Sequence, residues 1–150
     1  MPVDVVTDIV INRPHQEVAA FAADPTNAPK WYVNIAAVEW KSPPVLEVGS
    51  RMAFVARFLG RRLAYTYEVV GFVPGERMVM RTAEGPFPME TSCTWEATSA
   101  GGTRMTLRNR GEPAGFSKLA APFMAVAMRR ANRKDLQRLK QVLETGALAS

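Results

Sequence analysis

Apolar and polar residues alternate along most of the chain, a pattern typical of strands that bury one face. The first alternating segment runs from Val3 to Asn12. Six more such segments follow later: Ile35–Lys41, Arg51–Phe58, Arg62–Val70, Arg77–Thr82, Pro88–Thr98 and Thr103–Arg110. Apolar positions that alternate with charged ones indicate an antiparallel sheet with one face in water. The pattern therefore predicts seven antiparallel strands.

Two short helices are predicted between the first two strands. Pro14 suits a first helical turn, because its missing N–H would have no partner there, so a helix is expected over about His15 to Ala23. Asp24 can cap free N–H groups and Pro25 fits a first helical position. A second short helix is therefore expected to end near Trp31.

The end of the chain has a different periodicity. From Phe116 to Leu143 the apolar residues recur at spacings near three and four, which predicts an amphipathic helix of about seven turns. Pro122 should kink this helix or mark a new start, and Gly146 closes it. One helix cannot cover seven strands tightly, so we expect a strongly curved sheet that leaves a cavity near the two short helices.

Several groups of residues carry a resemblance to a known family. They are turns, caps and core positions: Ile11-Asn12-Arg13-Pro14, Glu17-Val18, Phe21, Asp24-Pro25, Lys30-Trp31, Gly49-Ser50-Arg51, Tyr67-Glu68-Val69, Pro74, Gly85-Pro86-Phe87, Thr94-Trp95-Glu96 and Gly102-Thr103-Arg104-Met105-Thr106. In these positions the chain resembles the START-like, or SRPBCC, superfamily, and within it the bacterial polyketide cyclase/dehydrase-type proteins. The resemblance implies one α+β domain over residues 1–150. Its helix-grip fold is that of the birch-pollen allergen, a seven-stranded curved antiparallel sheet around a long C-terminal helix.

The resemblance is specific to the fold and says less about function, because its members include lipid carriers, receptors and aromatic cyclases. It implies a cavity that binds a small hydrophobic ligand, either a lipid or an aromatic polyketide-like molecule. One alternative is a polyketide cyclase or dehydratase that uses pocket shape and a tyrosine acid. A second alternative is an interaction module that acts through the C-terminal helix without any internal ligand.

The inward positions of the predicted strands and helix supply candidate ligand-binding residues. They are Trp40, Phe54, Tyr65, Tyr67, Met80, Met89, Trp95, Asn109 and Phe123. A set that is mostly apolar with a few polar groups suits a small-molecule pocket, although the same residues could simply pack a core. Asn109 is the inward amide, and it would need hydrogen-bond partners if buried.

Acidic residues offer little support for acid–base chemistry in the cavity. By alternation, four glutamates point outward: Glu39, Glu68, Glu90 and Glu96. Asp8 also points outward and would meet Arg104 or Arg108 if the first and last strands are neighbours. An acid–base pair inside the cavity is therefore not predicted, and the catalytic residues stay unassigned.

The chain has one cysteine and one histidine, and these low numbers exclude several classes of site. Cys93 is the one cysteine, which excludes an internal disulfide, and His15 is the one histidine, which excludes His-pair metal motifs. We predict no metal and no cofactor, a structural role for Cys93, and a surface position for His15. The N-terminus lacks the pattern of a secretory signal, so we expect a cytoplasmic protein.

The formal net charge of +5 has a concentrated source. Six cations face only Asp135 in the last helix: Arg129, Arg130, Arg133, Lys134, Arg138 and Lys140. The usual interpretation is a solvated face whose cations favour the helix C-terminus. The rival interpretation is weak contact with an anionic membrane through Arg129, Arg130, Arg133 and Lys134. Nucleic acid is not predicted, since no aromatic residues interleave with these cations.

Overall fold

The computed structural model describes residues 3–58, 61–84, 88–111 and 121–145. Seven strands and three helices are found there: β1 (Val3–Ile11), α1 (His15–Ala23), α2 (Ala28–Trp31), β2 (Ile35–Trp40), β3 (Arg51–Phe58), β4 (Arg61–Val73), β5 (Arg77–Glu84), β6 (Met89–Ala97), β7 (Thr103–Gly111) and α3 (Ala121–Thr145). This confirms the predicted α+β class and the order of its elements.

The seven strands form one antiparallel sheet in the order β1-β7-β6-β5-β4-β3-β2. The first strand therefore pairs with the last, with Val5 opposite Asn109. The sheet curls around α3, which packs against β1. Buried side chains of the concave face meet those of α3 and the short helices in one core.

The link from β1 to β2 follows the proline and cap signals closely. The α1 bounds agree with the prediction, and Oδ1 of Asp24 accepts hydrogen bonds from the Thr26 N–H (3.0 Å) and the Thr26 hydroxyl (2.7 Å). The predicted second helix divides into a 3-10 turn over Pro25–Asn27 and the short α2. Pro29 has no N–H to donate, which suits a new start in the first turn of α2.

The β2 strand departs from the expected alternation. Its register against β3 shifts between Ile35 and Ala37. Strict alternation with the inward Trp40 predicts that Ala36 points inward as well, but one shifted position exchanges the two faces of a strand, and Ala36 is exposed. Val38 and Trp40 remain half-buried, as the alternation predicted.

The long helix α3 presents a sharply divided surface. Its inner face buries Met128, Asn132, Asp135, Leu136, Leu139 and Leu143. Pro122 lies in the first turn of the described helix, as expected for a new start. Three regions invoked by the sequence lie outside the described residues: the N-terminal part of the predicted helix (116–120), its cap at Gly146, and the motif Gly85-Pro86-Phe87. In the part of the chain that the structure describes, no helix is both long and apolar enough to cross a bilayer.

Candidate functional site

A cavity of about 120 Å³ lies between the concave face of the sheet, the inner face of α3 and the segment that links α1 to α2. Ala22 of α1, Ala28 of α2 and Tyr32, which directly follows α2, contribute to its wall. Its size is close to that of an engineered apolar cavity of ~150 Å³ that holds benzene. The volume therefore suits one small ring or a short acyl segment.

On the sheet wall, three polar side chains form a hydrogen-bonded row. Thr91 and Asn109 are direct cross-strand partners on β6 and β7. The Thr91 hydroxyl donates to Oδ1 of Asn109 at 2.7 Å, and the Tyr67 hydroxyl lies 2.8 Å from Oγ1 of Thr91. A hydroxyl has one proton, so Tyr67 is the donor to Thr91. The polar groups of this wall are thus largely satisfied by one another.

Aromatic rings complete the sheet wall next to this row. Phe54 stacks on Tyr65 with ring centroids 5.7 Å apart, and Tyr65 meets the edge of Tyr67 at 5.1 Å. Burial raises the pKa of Tyr67 to about 12 and that of Tyr65 well above its usual value. Both phenols are therefore neutral at physiological pH, and they are weaker proton donors than a free tyrosine.

On the helix wall, Asn132 and Asp135 stand one turn apart and are 5% and 4% exposed. Oδ1 of Asp135 accepts the Val33 N–H at 2.8 Å, a contact that links α3 to the loop before β2. Nδ2 of Asn132 is buried and has no hydrogen-bond partner within the described residues. Both side chains line the cavity.

Burial shifts the pKa of the carboxyl group on this wall. It raises the pKa of Asp135 to about 7, against the opposing effects of the Val33 hydrogen bond and the Arg138 charge. A carboxyl in an apolar site holds its proton because the charged form loses hydration there. Asp135 is thus a cavity group that can gain or lose a proton near neutral pH.

These two helix residues were missed by the sequence analysis, which placed no acid inside the cavity. Asp135 was noted only as the one acid among cations. The signal was present in the spacing of Met128, Asn132, Asp135 and Leu139, which share one helical face at intervals of four and three. Strand alternation predicted that the four glutamates point outward, but it says nothing about α3. Helical periodicity is the pattern that places Asp135 on the inner face of α3.

Of the nine candidate ligand-binding residues, six line the cavity: Phe54, Tyr65, Tyr67, Met80, Met89 and Asn109. Trp95 is buried in the core outside the cavity wall, and its indole N–H has no partner within the described residues. Trp40 lies elsewhere, in an outer depression of about 660 Å³ that also contains His15. The side chain of Phe123 lies outside the described part of the chain. Whether the six bind a ligand stays a prediction.

Cys93 and the surface charges take the places expected for structural residues. Burial raises the pKa of the Cys93 thiol to about 12, which keeps it protonated and unreactive. On the outer face of the sheet, Asp8 meets Arg104 at 3.9 Å, while Arg108 pairs with Asp4 at 2.6 Å. The predicted contact of Asp8 is therefore with Arg104, and Arg108 has a partner that the alternation did not identify.

Comparison with known proteins adds a family and a set of similar folds. The model of the family described as "Polyketide cyclase / dehydrase and lipid transport" matches residues 2–144. Protein TTHA0849 from Thermus thermophilus is 19% identical with a TM-score of 0.82, over 95% of this chain and 98% of that one. No curated protein gives a significant match.

Two other solved structures carry functional names. The Zhui aromatase/cyclase from Streptomyces sp. R1128 is 14% identical with a TM-score of 0.82, over 96% of this chain and 94% of that one. A START superfamily protein from Mycobacterium smegmatis is 13% identical with a TM-score of 0.72, over 95% and 94% of the two chains. Likeness at these identities establishes the START-like fold and does not transfer an activity.

Proposed function

The chain belongs to the family of polyketide cyclases, dehydrases and lipid-transport proteins, and from that premise we propose that it binds a small hydrophobic ligand in the cavity between sheet and α3. One observation carries the proposal: a cavity of about 120 Å³ that is lined mostly by apolar side chains and has a buried amide, Asn132, with no partner in the described chain. A buried donor without a partner is costly, and a ligand acceptor would satisfy it.

The chemistry of the walls indicates how such a ligand would be held. Apolar side chains such as Phe54, Met80 and Met128 would bury its hydrocarbon surface, worth about 25 cal/mol per Å². Asn132 and Asp135 would orient a carbonyl or hydroxyl on its helix side. The volume favours a single ring or a short acyl segment over a whole two-chain lipid.

Two ligands of equal size test this proposal. p-Cresol and p-xylene differ at one substituent, where p-cresol has a hydroxyl in place of a methyl group, and calorimetric titration gives both affinities. We expect both to bind, with p-cresol tighter by about tenfold because one buried hydrogen bond contributes about 1.4 kcal/mol. Native mass spectrometry of the freshly purified protein would identify any ligand that co-purifies. If neither compound binds, the proposal is refuted.

A cavity-filling variant supplies the control. Ala56 on β3 lines the cavity, whereas Ala53 on the same strand does not. Ala56→Phe should abolish binding of both compounds, and Ala53→Phe should leave it unchanged. Ala56→Leu is the smaller substitution to use if Ala56→Phe overpacks the core and unfolds the protein. Equal binding by the Ala56 and Ala53 variants would place the ligand elsewhere.

A second candidate function, a cyclase or dehydratase, is favoured by Asp135. A cavity carboxyl with a pKa of about 7 is suited to take and return a proton at neutral pH. The two tyrosines are less suited as acids, because burial raises their pKa values. With a poly-β-ketone substrate, Asp135→Asn should remove a rate inflection near pH 7 while binding persists. Loss of turnover in Tyr67→Phe, together with an unchanged pH profile in Asp135→Asn, would favour the tyrosine instead.

A further inference from the structure

The outer face of α3 carries a dense group of cations. Five cations lie within ten residues and all are exposed: Arg129, Arg130, Arg133, Lys134 and Arg138. At 1.5 Å per residue they span about 14 Å of the helix. They point away from the face that carries Asn132, Asp135 and Leu139. We refer to these five residues as the basic stripe.

Several cations of the sheet have acidic partners, although Arg57, Arg62 and Arg77 form no ion pair within the described residues. On its outer face Arg51 pairs with Glu68, Arg108 pairs with Asp4, and Arg81 and Arg110 share Glu90. Within the described part of the chain, no ion pair involves a residue of the basic stripe. Lys140 also lies on α3, yet it bonds Glu144 and the Val10 carbonyl instead.

The helix itself does not account for the basic stripe. The helix dipole favours cations only within the last turn, and α3 extends to Thr145 with no basic residue in that turn. The dipole part of the sequence interpretation is therefore wrong for these cations, whereas its main part, an exposed helix face, agrees with the structure. Three like-charged pairs also occur at a spacing of four, Arg129 with Arg133, Arg130 with Lys134, and Lys134 with Arg138, and such pairs destabilise a helix. An external anionic partner would relieve this repulsion.

We propose that the basic stripe docks the protein on an anionic lipid bilayer, with α3 lying along the membrane surface. Guanidinium groups match phosphate geometry, and each cation near an anionic surface adds to the attraction. Val126 is 56% exposed and lies one turn before Arg130, so an exposed apolar side chain extends the stripe at its N-terminal end. This side chain could enter the bilayer surface. No aromatic residue lies on this face between 125 and 145, which argues against single-stranded nucleic acid.

The experiment measures sedimentation of the whole protein with vesicles of phosphatidylcholine, with and without phosphatidylglycerol. The test variant carries Arg129→Gln, Arg130→Gln and Arg133→Gln. Each lost cation should weaken binding about fivefold, so affinity for the phosphatidylglycerol vesicles should fall about 100-fold. Wild-type binding should also weaken steeply as ionic strength rises from about 0.01 M to about 1 M, since screening shortens the reach of exposed charges.

A matched variant removes the same net charge from the sheet. It carries Arg51→Gln, Arg104→Gln and Arg108→Gln, and we expect it to keep most of the vesicle affinity. Arg108 is half-buried and the other five positions are exposed, and circular dichroism tests that both variants fold. Equal loss in the two variants, binding that ignores salt, or no binding to phosphatidylglycerol vesicles would each overturn the proposal. Tighter binding to a DNA duplex than to the vesicles, lost in the test variant, would assign the stripe to nucleic acid instead.

Discussion

The polar groups on the two walls of the cavity differ in how fully they are hydrogen-bonded. On the sheet wall the polar side chains hydrogen-bond to one another, in the row from Tyr67 through Thr91 to Asn109. On the helix wall, Asp135 bonds only a backbone N–H among the described residues, and Nδ2 of Asn132 has no partner there. A satisfied network rigidifies its surroundings, whereas an unsatisfied buried donor is a cost to the empty protein.

This difference separates two tasks that a ligand cavity must perform. The sheet wall is built for shape, because its hydrogen bonds fix three strands and three side chains before any ligand arrives. The helix wall leaves one donor open: among the described residues, Asp135 already accepts the Val33 N–H, whereas Nδ2 of Asn132 has no partner and would gain one only from a molecule in the cavity. The contrast also extends to titration, since burial puts the pKa of Asp135 at about 7 and that of Tyr67 at about 12.

The largest expected effect comes from the titration of the helix wall. The folded-state pKa of Asp135, about 7, lies above its ordinary value of 3.8, so the folded protein holds a proton that the unfolded chain releases. This group therefore makes the free energy of unfolding fall as pH rises from about 4 to about 7, by at most about 1.4 kcal/mol per pH unit. Above that range its contribution is constant.

Urea denaturation of wild type and Asp135→Asn across this pH range measures the effect. Asparagine keeps an acceptor for the Val33 N–H, so the difference between the two proteins isolates the proton. The sheet variant Tyr67→Phe should follow the wild-type pH dependence. Parallel curves for wild type and Asp135→Asn would contradict a raised pKa.

The next effect comes from breaking the row on the sheet wall. Thr91→Val keeps the shape of the side chain but leaves the Tyr67 hydroxyl and Oδ1 of Asn109 without their partner. Each buried group left unpaired costs about 1–3 kcal/mol, so thermal and urea unfolding should show clear destabilisation. Thr94→Val, on the outer side of the same strand, is the control. If the two threonine variants are equally stable, the row does not hold the wall.

The smallest effect has the opposite sign and sharpens the contrast. Asn132→Leu replaces an amide whose Nδ2 is unpaired by an apolar group of similar size, so the empty protein should gain about 1 kcal/mol. Gln137→Leu, on the outer face of α3, should change stability by less than ~0.5 kcal/mol. Differential scanning calorimetry of both variants gives the answer. Destabilisation by Asn132→Leu would mean that the amide is already satisfied in the empty protein.

Most of the fold could be predicted from the sequence, because the alternation in the strands and the periodicity of the last helix are both strong. The bulge in β2 could not, since Ala36 and Ala37 are two small apolar residues that fit either face. The division of the second helix was missed although a signal for it was present. Pro29 lies four residues after Pro25 and has no N–H for the i→i−4 hydrogen bond of a continuous helix, so it marks a new start.

The candidate site was predictable on one wall only. Strand alternation placed Tyr65, Tyr67 and Asn109 inward, and all three line the cavity. It also placed Trp40 and Trp95 inward, but inward on a curled sheet is not the same as facing the cavity. Trp95 is buried in the core without lining the cavity, and Trp40 lines the outer depression. Asp135 escaped notice because a lone acid among six cations suggests a surface ion pair.

The pairing of β1 with β7 has a consequence for how the protein folds during synthesis. Val5 and Asn109 are partners separated by 104 positions, so the first strand must wait for nearly the whole chain before its edge is covered. Such long-range closure is slow, because the loop entropy is lost before the contacts form. Asn109 belongs to the last strand, and α3 follows it. The α3 wall is therefore added only after β7 has been synthesised, and the cavity stays incomplete until α3 has left the ribosome.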